Sequence, residues 1–264
     1  MTAISASGTD SYEEFAGFYD AFTAGSDYET WTTHVLSLAR EYGAQGTRAL
    51  DVACGTGKSF LPLLERGFDV TGCDISPAML EQAALKAPGV PLVEADMRAL
   101  PKLAEFDLVT CFDDSLNHLA DEAALAAALA SMATNLGPDG LLLFDLNTLL
   151  SYRTTFAGVS RFTHRDTVFV FSGDSSPDSP PGCLASAQIE AFSRRDDGLY
   201  ERLSSRQSQR HFPPHRVTGL IAEAGLECLG LHGILDDGSP VGQADETRQL
   251  KVLYAASMRG GDSR

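Results

Sequence analysis

The sequence reads Arg48-Ala49-Leu50-Asp51-Val52-Ala53-Cys54-Gly55-Thr56-Gly57, an apolar run that passes into a glycine-rich turn. Short apolar runs of this kind form buried strands, and glycines after a strand let the backbone pass close to a ligand. A helix is predicted at 59–66, and the free amides at its start can receive a carboxylate. The stretch therefore predicts a strand, a loop and a helix that bind a ligand at the carboxyl end of the strand.

Strands and helices continue to alternate after this unit. Ser76 and Pro77 mark a helix start, as an N-cap followed by proline at the first helical position. Further strands are predicted at 68–73, 90–94, 106–112, 141–146, 226–234 and 247–257, helices at 78–86, 121–136 and 213–224, and a turn at 137–140. This order predicts an α/β fold with a Rossmann-like, doubly wound sheet of seven strands.

Two segments fall outside this alternation. Residues 11–42 carry aromatic side chains at helical spacing, which predicts an N-terminal helical lid. The segments 161–172, 183–194 and 199–210 alternate polar and apolar residues, as antiparallel strands do, and the low-complexity stretch 172–182 predicts a mobile hairpin tip. The chain then divides into a lid (1–46), an α/β core (47–148), an antiparallel β insertion over the substrate site (149–211), the final helix and strands (212–258) and a frayed tail (259–264).

The composition narrows the range of partners. The 264 residues carry a net charge of −16, which disfavours a nucleic-acid partner because phosphate binding needs clustered Lys and Arg. No apolar run approaches the roughly 20 residues that span a bilayer, and the start of the chain lacks the pattern of a secretory signal. The five cysteines show neither metal-binding nor disulfide spacing. We expect a cytoplasmic protein that acts on a small molecule, without a membrane, nucleic-acid or metal partner.

The glycine-rich turn suits two ligands, NAD and S-adenosylmethionine (SAM). The nicotinamide fingerprint needs a third small residue for close helix–strand packing. That position holds Phe60 when counted from Gly55, and Lys58 when counted from Ala53. Asp51, placed before the glycines, can hold an ammonium group. The sequence therefore favours SAM over NAD.

Two further acidic positions fit a nucleoside. Asp74 ends the second predicted strand, where a carboxylate can accept hydrogen bonds from both hydroxyls of a ribose. Asp96 follows the third strand and can accept from an adenine amino group, while Met97 packs on the ring. Asp96 suits the cap of a short turn equally well.

These motifs resemble the ordered motifs of class I SAM-dependent methyltransferases. The resemblance runs from about Phe15 to Leu146 and includes the closing strand, although Ala53 stands where the family commonly has glycine. It implies that the cofactor is SAM and that these residues bind it: Tyr19, Asp51, Ala53, Gly55, Gly57, Asp74, Ile75, Met79, Asp96, Met97, Cys111 and Phe112. In that family the methionine part lies on the glycine loop, Ile75 lies against the adenine, and Cys111 and Phe112 lie under the cofactor.

Two segments are similar to bacterial small-molecule methyltransferases, including sugar N,N-dimethyltransferases of antibiotic pathways. The first runs from Phe15 to Tyr28 and matches their lid, in which a tyrosine at the position of Tyr19 touches SAM. The second, Ser115 to Leu119, matches the segment that carries a histidine beside their substrate nitrogen. The resemblance implies an acceptor site opposite the glycine loop.

His118 is the first candidate for a catalytic role, because its ordinary pKa lies near neutrality. The alternatives are that it serves as a base, that it orients the substrate, or that it is a helix-capping or core histidine. Asp114 is the second candidate. The candidate substrate-binding residues are Phe15, Trp31, Asp113, Asn117, Asn147 and Arg153, with Asp145 facing the same mouth. The other histidines of the insertion and the final helix, His164, His211 and His215, are predicted to lie at the surface.

The sequence leaves three functions open. The favoured one is transfer of a methyl group from SAM to O or N of a small metabolite in natural-product biosynthesis. The others are a non-catalytic SAM-binding scaffold and an NAD-dependent oxidoreductase. The new strand edges of the insertion also predict a homodimer face.

Overall fold

A computed structural model describes residues 8–235 and 237–259. The chain begins with two helices, α1 (Gly8–Phe22) and α2 (Tyr28–Glu41). The α/β part follows as β1 (Arg48–Val52), α3 (Leu61–Glu65), β2 (Asp69–Asp74), α4 (Pro77–Lys86), β3 (Leu92–Glu94), β4 (Phe106–Cys111), α5 (Glu122–Ala133) and β5 (Leu136–Asn147). After it come α6 (Leu149–Arg153), β6 (Val159–His164), β7 (Thr167–Gly173), β8 (Leu184–Arg194), β9 (Tyr200–Arg210), α7 (Pro214–Glu223), β10 (Leu226–Ile234), β11 (Pro240–Gln243) and β12 (Lys251–Met258).

The main sheet has the strand order β11-β10-β12-β5-β4-β1-β2-β3. Its pairs from β5 to β3 are parallel, whereas β12 and β10 run antiparallel to their neighbours. A second sheet, β6-β7-β8-β9, is wholly antiparallel. The predicted fold class is therefore confirmed, with β11 as an eighth strand that the sequence analysis did not anticipate.

Helices cover both faces of the main sheet, and each face carries a buried apolar core. One face packs with α5 and α7 and contains Val52, Val109 and Phe144. The other packs with α2 and α3 and contains Leu108 and Leu143. Because neighbouring side chains on a strand alternate, odd-numbered residues of β5 and even-numbered residues of β4 share the α2 face. That face carries the polar residues of the site.

Several predicted boundaries differ from the structure. The segment 161–172 is a hairpin rather than one strand, because the chain reverses at Arg165, which has a left-handed backbone (φ 50°). The predicted turn at 137–140 is an irregularity inside β5, where Phe106 pairs with Leu136 and Leu108 pairs with Leu141. The last strand starts at Lys251 because Asp245 first caps a turn.

The stretch 172–182 makes hydrogen bonds with the rest of the insertion. Arg153 donates from Nε to the carbonyl of Ser179 at 2.9 Å, and Arg210 donates to the carbonyl of Gly182 at 2.8 Å. The amide of Ser186 donates to Asp174 at 2.6 Å. The predicted tail 259–264 lies outside the described residues apart from Arg259.

No helix within residues 8–235 and 237–259 is long and apolar enough to cross a membrane.

Candidate active site

The loop after β1 turns through left-handed backbone at three positions. Ala53, Gly55 and Gly57 have φ values of 56°, 52° and 86°. A Cβ atom on Gly57 would lie 2.7 Å from the ring of Phe60, so this position requires glycine. Phe60 is fully buried, and its bulk occupies the place that a nicotinamide fingerprint reserves for a small residue.

Asp74 ties this loop to the end of β2. Its two carboxylate oxygens accept hydrogen bonds from the amides of Gly55 at 2.8 Å and Ser76 at 2.9 Å. Burial raises the pKa of Asp74 despite these hydrogen bonds. Next to it, Ile75 is 39 % exposed, whereas Met79 is buried in the first turn of α4. An acidic group beside an exposed apolar side chain suits a ribose and an adenine ring.

Asp51 lies under the same loop. Its carboxylate accepts from the hydroxyls of Ser59 at 2.5 Å and Thr110 at 2.6 Å. Burial raises the pKa of Asp51 to about 6, and these two hydrogen bonds oppose the shift. The carboxylate is 1 % exposed and faces the glycine loop through Ser59.

Asp96 caps a short turn at Met97–Ala99, as its alternative interpretation predicted. It accepts from the amide of Arg98 at 2.9 Å and forms an ion pair with the Arg98 side chain. It nevertheless follows β3, which pairs with the end of β2 at Asp74. Met97 packs against the core on the α5 face, so Asp96 and Met97 follow the strand next to Asp74, while the Met97 side chain is buried against the core.

A small cavity of about 20 Å³ separates the glycine loop from the lid. Its walls come from the lid, the glycine loop and the segment after β4, and consist of Tyr19, Tyr28, Ala53, Cys54, Gly55, Lys58, Ser59, Phe112, Asp113 and Ser115. Trp31 packs edge-on against Phe112, with ring centroids 5.3 Å apart. The side chain of Cys111 points to the opposite face, into the core with α5, and the structure does not bring it to the cavity.

The segment after β4 forms the other side of the cavity. Asp113 and Asp114 both have left-handed backbone, with φ values of 58° and 52°. The hydroxyl of Tyr28 donates to Asp113 at 2.6 Å, and Lys251 donates to Asp114 at 2.7 Å. Such a backbone costs free energy at non-glycine residues and persists where its surroundings hold it.

Gln209 of β9 connects the predicted catalytic residues. Its amide nitrogen donates to Asp114 and lies 3.2 Å from Nε2 of His118, while its carbonyl oxygen accepts from Asn147 at 2.9 Å. These partners fix the amide orientation, so Nε2 of His118 accepts a hydrogen bond and the neutral ring carries its proton on Nδ1. Burial lowers the pKa of His118, although Asp114 opposes the shift.

Other predicted site residues lie behind Gln209, Asp114 and His118 and make structural contacts. Asn117 is buried and accepts from the amide of Asn147 at 2.9 Å. The Phe15 ring is fully buried between the lid and the insertion, against Phe169 and Ile189. Arg153 is occupied by the carbonyl of Ser179. The structure does not bring Phe15 or Arg153 to the cavity.

The prediction for His211 was wrong. The ring is 1 % exposed and packs against Tyr152. Its Nδ1 accepts from the amide of Gly182 at 3.0 Å, and its Nε2 lies 2.8 Å from Glu246. The two partners lie on separate loops, so His211 joins the insertion to the end of the main sheet.

Comparison with known proteins identifies the family of this chain. Residues 49–140 match a family described as "Methyltransferase domain". A protein of Geobacillus sp. (strain WCH70) that carries a provisional methyltransferase name is 33 % identical over 234 residues, which span 87 % of this chain and 94 % of that protein. The chain belongs to the SAM-dependent methyltransferases.

Two further comparisons extend the match. The structure of a SAM-dependent methyltransferase from Clostridium acetobutylicum superimposes with a TM-score of 0.79 at 22 % identity, covering 95 % of this chain and 99 % of that one. The dTDP-3-amino-3,6-dideoxy-alpha-D-glucopyranose N,N-dimethyltransferase of Streptomyces fradiae is 34 % identical over 134 residues, or 50 % of this chain and 52 % of that protein. The first comparison supports the fold over almost the whole methyltransferase.

The residues of this methyltransferase fit SAM. Ser59, which donates to Asp51, lines the cavity beside the left-handed loop, so the buried Asp51 carboxylate lies one side chain behind the place where the amino group of the cofactor would bind. Asp74 keeps lone pairs for ribose hydroxyls because each of its oxygens accepts one backbone amide. On this reasoning Tyr19, Asp51, Gly55 and Asp74 would hold the cofactor.

We call the part of the site around Asp113 and Asp114 the acceptor side. Three residues that lie there were not identified from the sequence. Tyr28, Gln209 and Lys251 belong to the lid, the insertion and the last strand, and each contacts Asp113 or Asp114. The only sequence signal was for Lys251, a charged residue at the start of an otherwise apolar strand. Tyr28 and Gln209 carry no signal that separates them from their neighbours.

Proposed function

We propose that this methyltransferase transfers a methyl group from SAM to the nitrogen of an amine on a small molecule. The observation that carries the proposal is the charge of the acceptor side. Asp113, Asp114 and Asp145 meet there, and among the described residues Lys251 is the only cation hydrogen bonded to them. Lys58 also lines the cavity, but its ammonium donates to Thr23 of the lid. Excess negative charge attracts an ammonium and disfavours an anionic acceptor.

SAM, when bound, supplies a methyl group that its sulfonium already activates. The protein has to align an amine lone pair, and the ammonium form of the acceptor has to release one proton to solvent for each methyl group transferred. Asp113 and Asp114 are placed to attract the ammonium form. The Nε2 lone pair of His118 is engaged by Gln209, so we assign His118 the role of orienting Gln209 and Asp114 rather than that of the base.

The proposed acceptor is an amino sugar or a similar metabolite of natural-product biosynthesis. The support is the amino sugar named as the substrate of the Streptomyces fradiae relative, together with the negative charge of the site. The insertion would cover this acceptor, since it already supplies Gln209 to the cluster. A homodimer through the insertion also stays a prediction, which sedimentation of the purified protein would check.

Single-turnover transfer from methyl-labelled SAM tests the proposal. We would compare acceptors in matched pairs, an amino sugar and the same sugar with a hydroxyl at that carbon. Transfer to the amine is expected to be faster by about 10-fold or more, since discrimination at a hydrogen-bonding site reaches this size readily. Equal or faster transfer to the hydroxyl compound would overturn the choice of nitrogen. SAM binding without transfer to any acceptor would favour the non-catalytic scaffold.

A further inference from the structure

Lys251 bridges two of the three carboxylates on the acceptor side. Its Nζ lies 2.7 Å from Oδ1 of Asp114 and 2.7 Å from Oδ2 of Asp145. Burial works against the charge of Lys251, but the two carboxylates outweigh it and raise the pKa of the ammonium well above its usual value. Lys251 therefore stays charged and holds both partners at once.

The sheet register explains why these residues meet. Lys251 stands opposite Asn147 in the antiparallel pair of β12 and β5, and Asp145 lies two residues earlier on β5. Residues two apart on a strand share one face, so Lys251 and Asp145 are diagonal neighbours within reach of a long side chain. Asp114 reaches the same point from the end of β4.

The Asp113–Asp114 turn depends on contacts from four separate elements. Tyr28 of α2 holds Asp113, while Gln209 of β9 and Lys251 of β12 hold the Asp114 carboxylate. The amide of Asp114 donates to Oδ2 of Asp145 at 3.2 Å. Since both residues of the turn have strained left-handed backbone, removing one holder should let the turn relax.

Asp145 has one oxygen left over. Its side chain is 1 % exposed, and its Oδ2 is used by Lys251 and Asp114. Its Oδ1 is buried and has no hydrogen-bond partner among the described residues. A buried carboxylate oxygen without a partner costs free energy, which a donor from a bound molecule can offset. Asp145 lies on the sheet face of its neighbour Leu143, the face that also carries the cavity residue Phe112, and sits behind the cavity wall.

We propose that Lys251 is a positioning residue that fixes Asp114 and Asp145 as one unit and thereby presents the free Oδ1 of Asp145 to an N–H group of the acceptor. This inference rests on the amine acceptor proposed above. Lys251 does not touch the reacting atoms itself. Its position decides whether the acidic turn keeps the shape that an amine needs.

The charged groups around Asp145 allow the positioning role of Lys251 to be tested by the pH dependence of the methyl-transfer rate. Asp113 and Asp114 of the turn and Lys251 of β12 lie nearest, with Tyr28 of the lid and His118 behind them. Burial raises the pKa of Asp145 to about 6, and the Lys251 charge limits that rise. Without Lys251 the carboxyl should hold its proton to a higher pH, so the acid side of a pH–rate profile should move upward.

The experiment compares Lys251→Met, Lys251→Arg and Asp145→Asn with Lys102→Met, the same change at an exposed lysine paired with Glu105. Turnover of the amine is expected to fall by about 10-fold or more in Lys251→Met, as expected when a buried ion pair loses one member. Its acid limb should move up by about 1 pH unit or more. Lys251→Arg should restore most of the rate, and Lys102→Met should match the wild type. An unmoved acid limb in a folded Lys251→Met would overturn the proposal.

Two further measurements keep the inference testable in all cases. If Lys251→Met does not fold, Asp145→Asn decides, because it removes the titrating group and should abolish the acid limb. A wild-type acid limb in that variant would contradict us. If no acceptor is turned over at all, the proposed function fails first. Carbon-13 titration of the Asp145 carboxyl in the wild type, Lys251→Arg and Lys251→Met then tests the positioning role. The midpoint should stay near the wild-type value in Lys251→Arg and rise in Lys251→Met, and equal midpoints in the wild type and Lys251→Met would reject the role.

Discussion

The amide nitrogen of Gln209 lies 3.2 Å from Nε2 of His118, so the insertion engages the one lone pair that a histidine base would use. The same amide donates to Asp114, and its carbonyl accepts from Asn147. A residue of the insertion therefore fixes three residues of the α/β core. This geometry separates a positioning role of His118 from a proton-accepting one.

Gln209→Ala should lower turnover of the acceptor by about 10-fold to 100-fold, because a buried hydrogen bond to a charged group contributes about 1.5–3 kcal/mol. SAM affinity should stay unchanged, since Gln209 does not line the cavity beside the glycine loop. Steady-state kinetics and calorimetric titration with S-adenosylhomocysteine measure the two effects. Gln207→Ala, two residues earlier on the same strand, is the control. A loss of cofactor affinity equal to the loss of turnover would contradict this division.

His118→Asn tests the positioning role directly. Asparagine offers Gln209 an acceptor but cannot act as a base at neutral pH. We expect the variant to keep turnover within about 10-fold of the wild type, whereas loss of a general base typically costs about 10²–10⁴-fold. Pre-steady-state methyl transfer measures the chemical step, and a loss in the larger range would restore His118 as the base.

Asp74→Ala should weaken SAM binding by about 1–3 kcal/mol, the usual range for a buried polar partner that is removed. The change also leaves the amides of Gly55 and Ser76 without their acceptor, so the loop itself loosens. Asp69→Ala, at the exposed start of the same strand, is the matched control. Calorimetry on both variants gives the comparison, and equal affinities would show that Asp74 does not bind the cofactor.

Asp51 predicts a pH effect on stability. Burial raises its pKa from 3.8 to about 6 in the folded state, so between these values the folded chain binds more protons than the unfolded one. The contribution of Asp51 to the free energy of unfolding is then largest below about pH 4 and is lost as the pH rises through about 6. From pH 4 to pH 7, Asp51→Asn should gain up to about 3 kcal/mol relative to the wild type. Urea unfolding at several pH values measures the difference, with Asp69→Asn as control; a pH-independent difference would refute the assignment.

Asp20 fastens the lid to the glycine loop. Its carboxylate accepts from the hydroxyl of Thr56 at 2.6 Å and pairs with Lys86 of α4. Asp20→Ala removes both contacts, so S-adenosylhomocysteine should dissociate faster, by about 3-fold to 30-fold for one or two partly exposed polar contacts. Stopped-flow displacement measures the rate, and Glu14→Ala on the same helix is the control. An unchanged rate would mean that the lid does not limit product release.

The fold and the cofactor side could be predicted because their signals are local. Ser76 accepts from the amide of Met79 as its place before Pro77 predicts, and Asp74 ends its strand beside the glycine loop. The contacts of the acceptor side could not be predicted, because they join distant parts of the chain. Gln209 meets Asp114 across 95 residues and Lys251 meets Asp114 across 137. Such pairs follow from sheet order and register, which a single sequence does not specify.

The borders of the main sheet have a consequence for self-association. One border is β3, only three residues long, and the other is β11, four residues that begin with Pro240 and pair through a bulge at His232. Short strands, proline and bulges keep a border from templating foreign strands. The outer strand of the second sheet, β9, carries Glu201, Arg202 and Arg206, and such charges discourage flat stacking. Within the described residues, three of the four outer strands thus carry features that discourage the addition of foreign strands, and we expect aggregation of a partly unfolded sample to begin at β6, where Val159 is 72 % exposed.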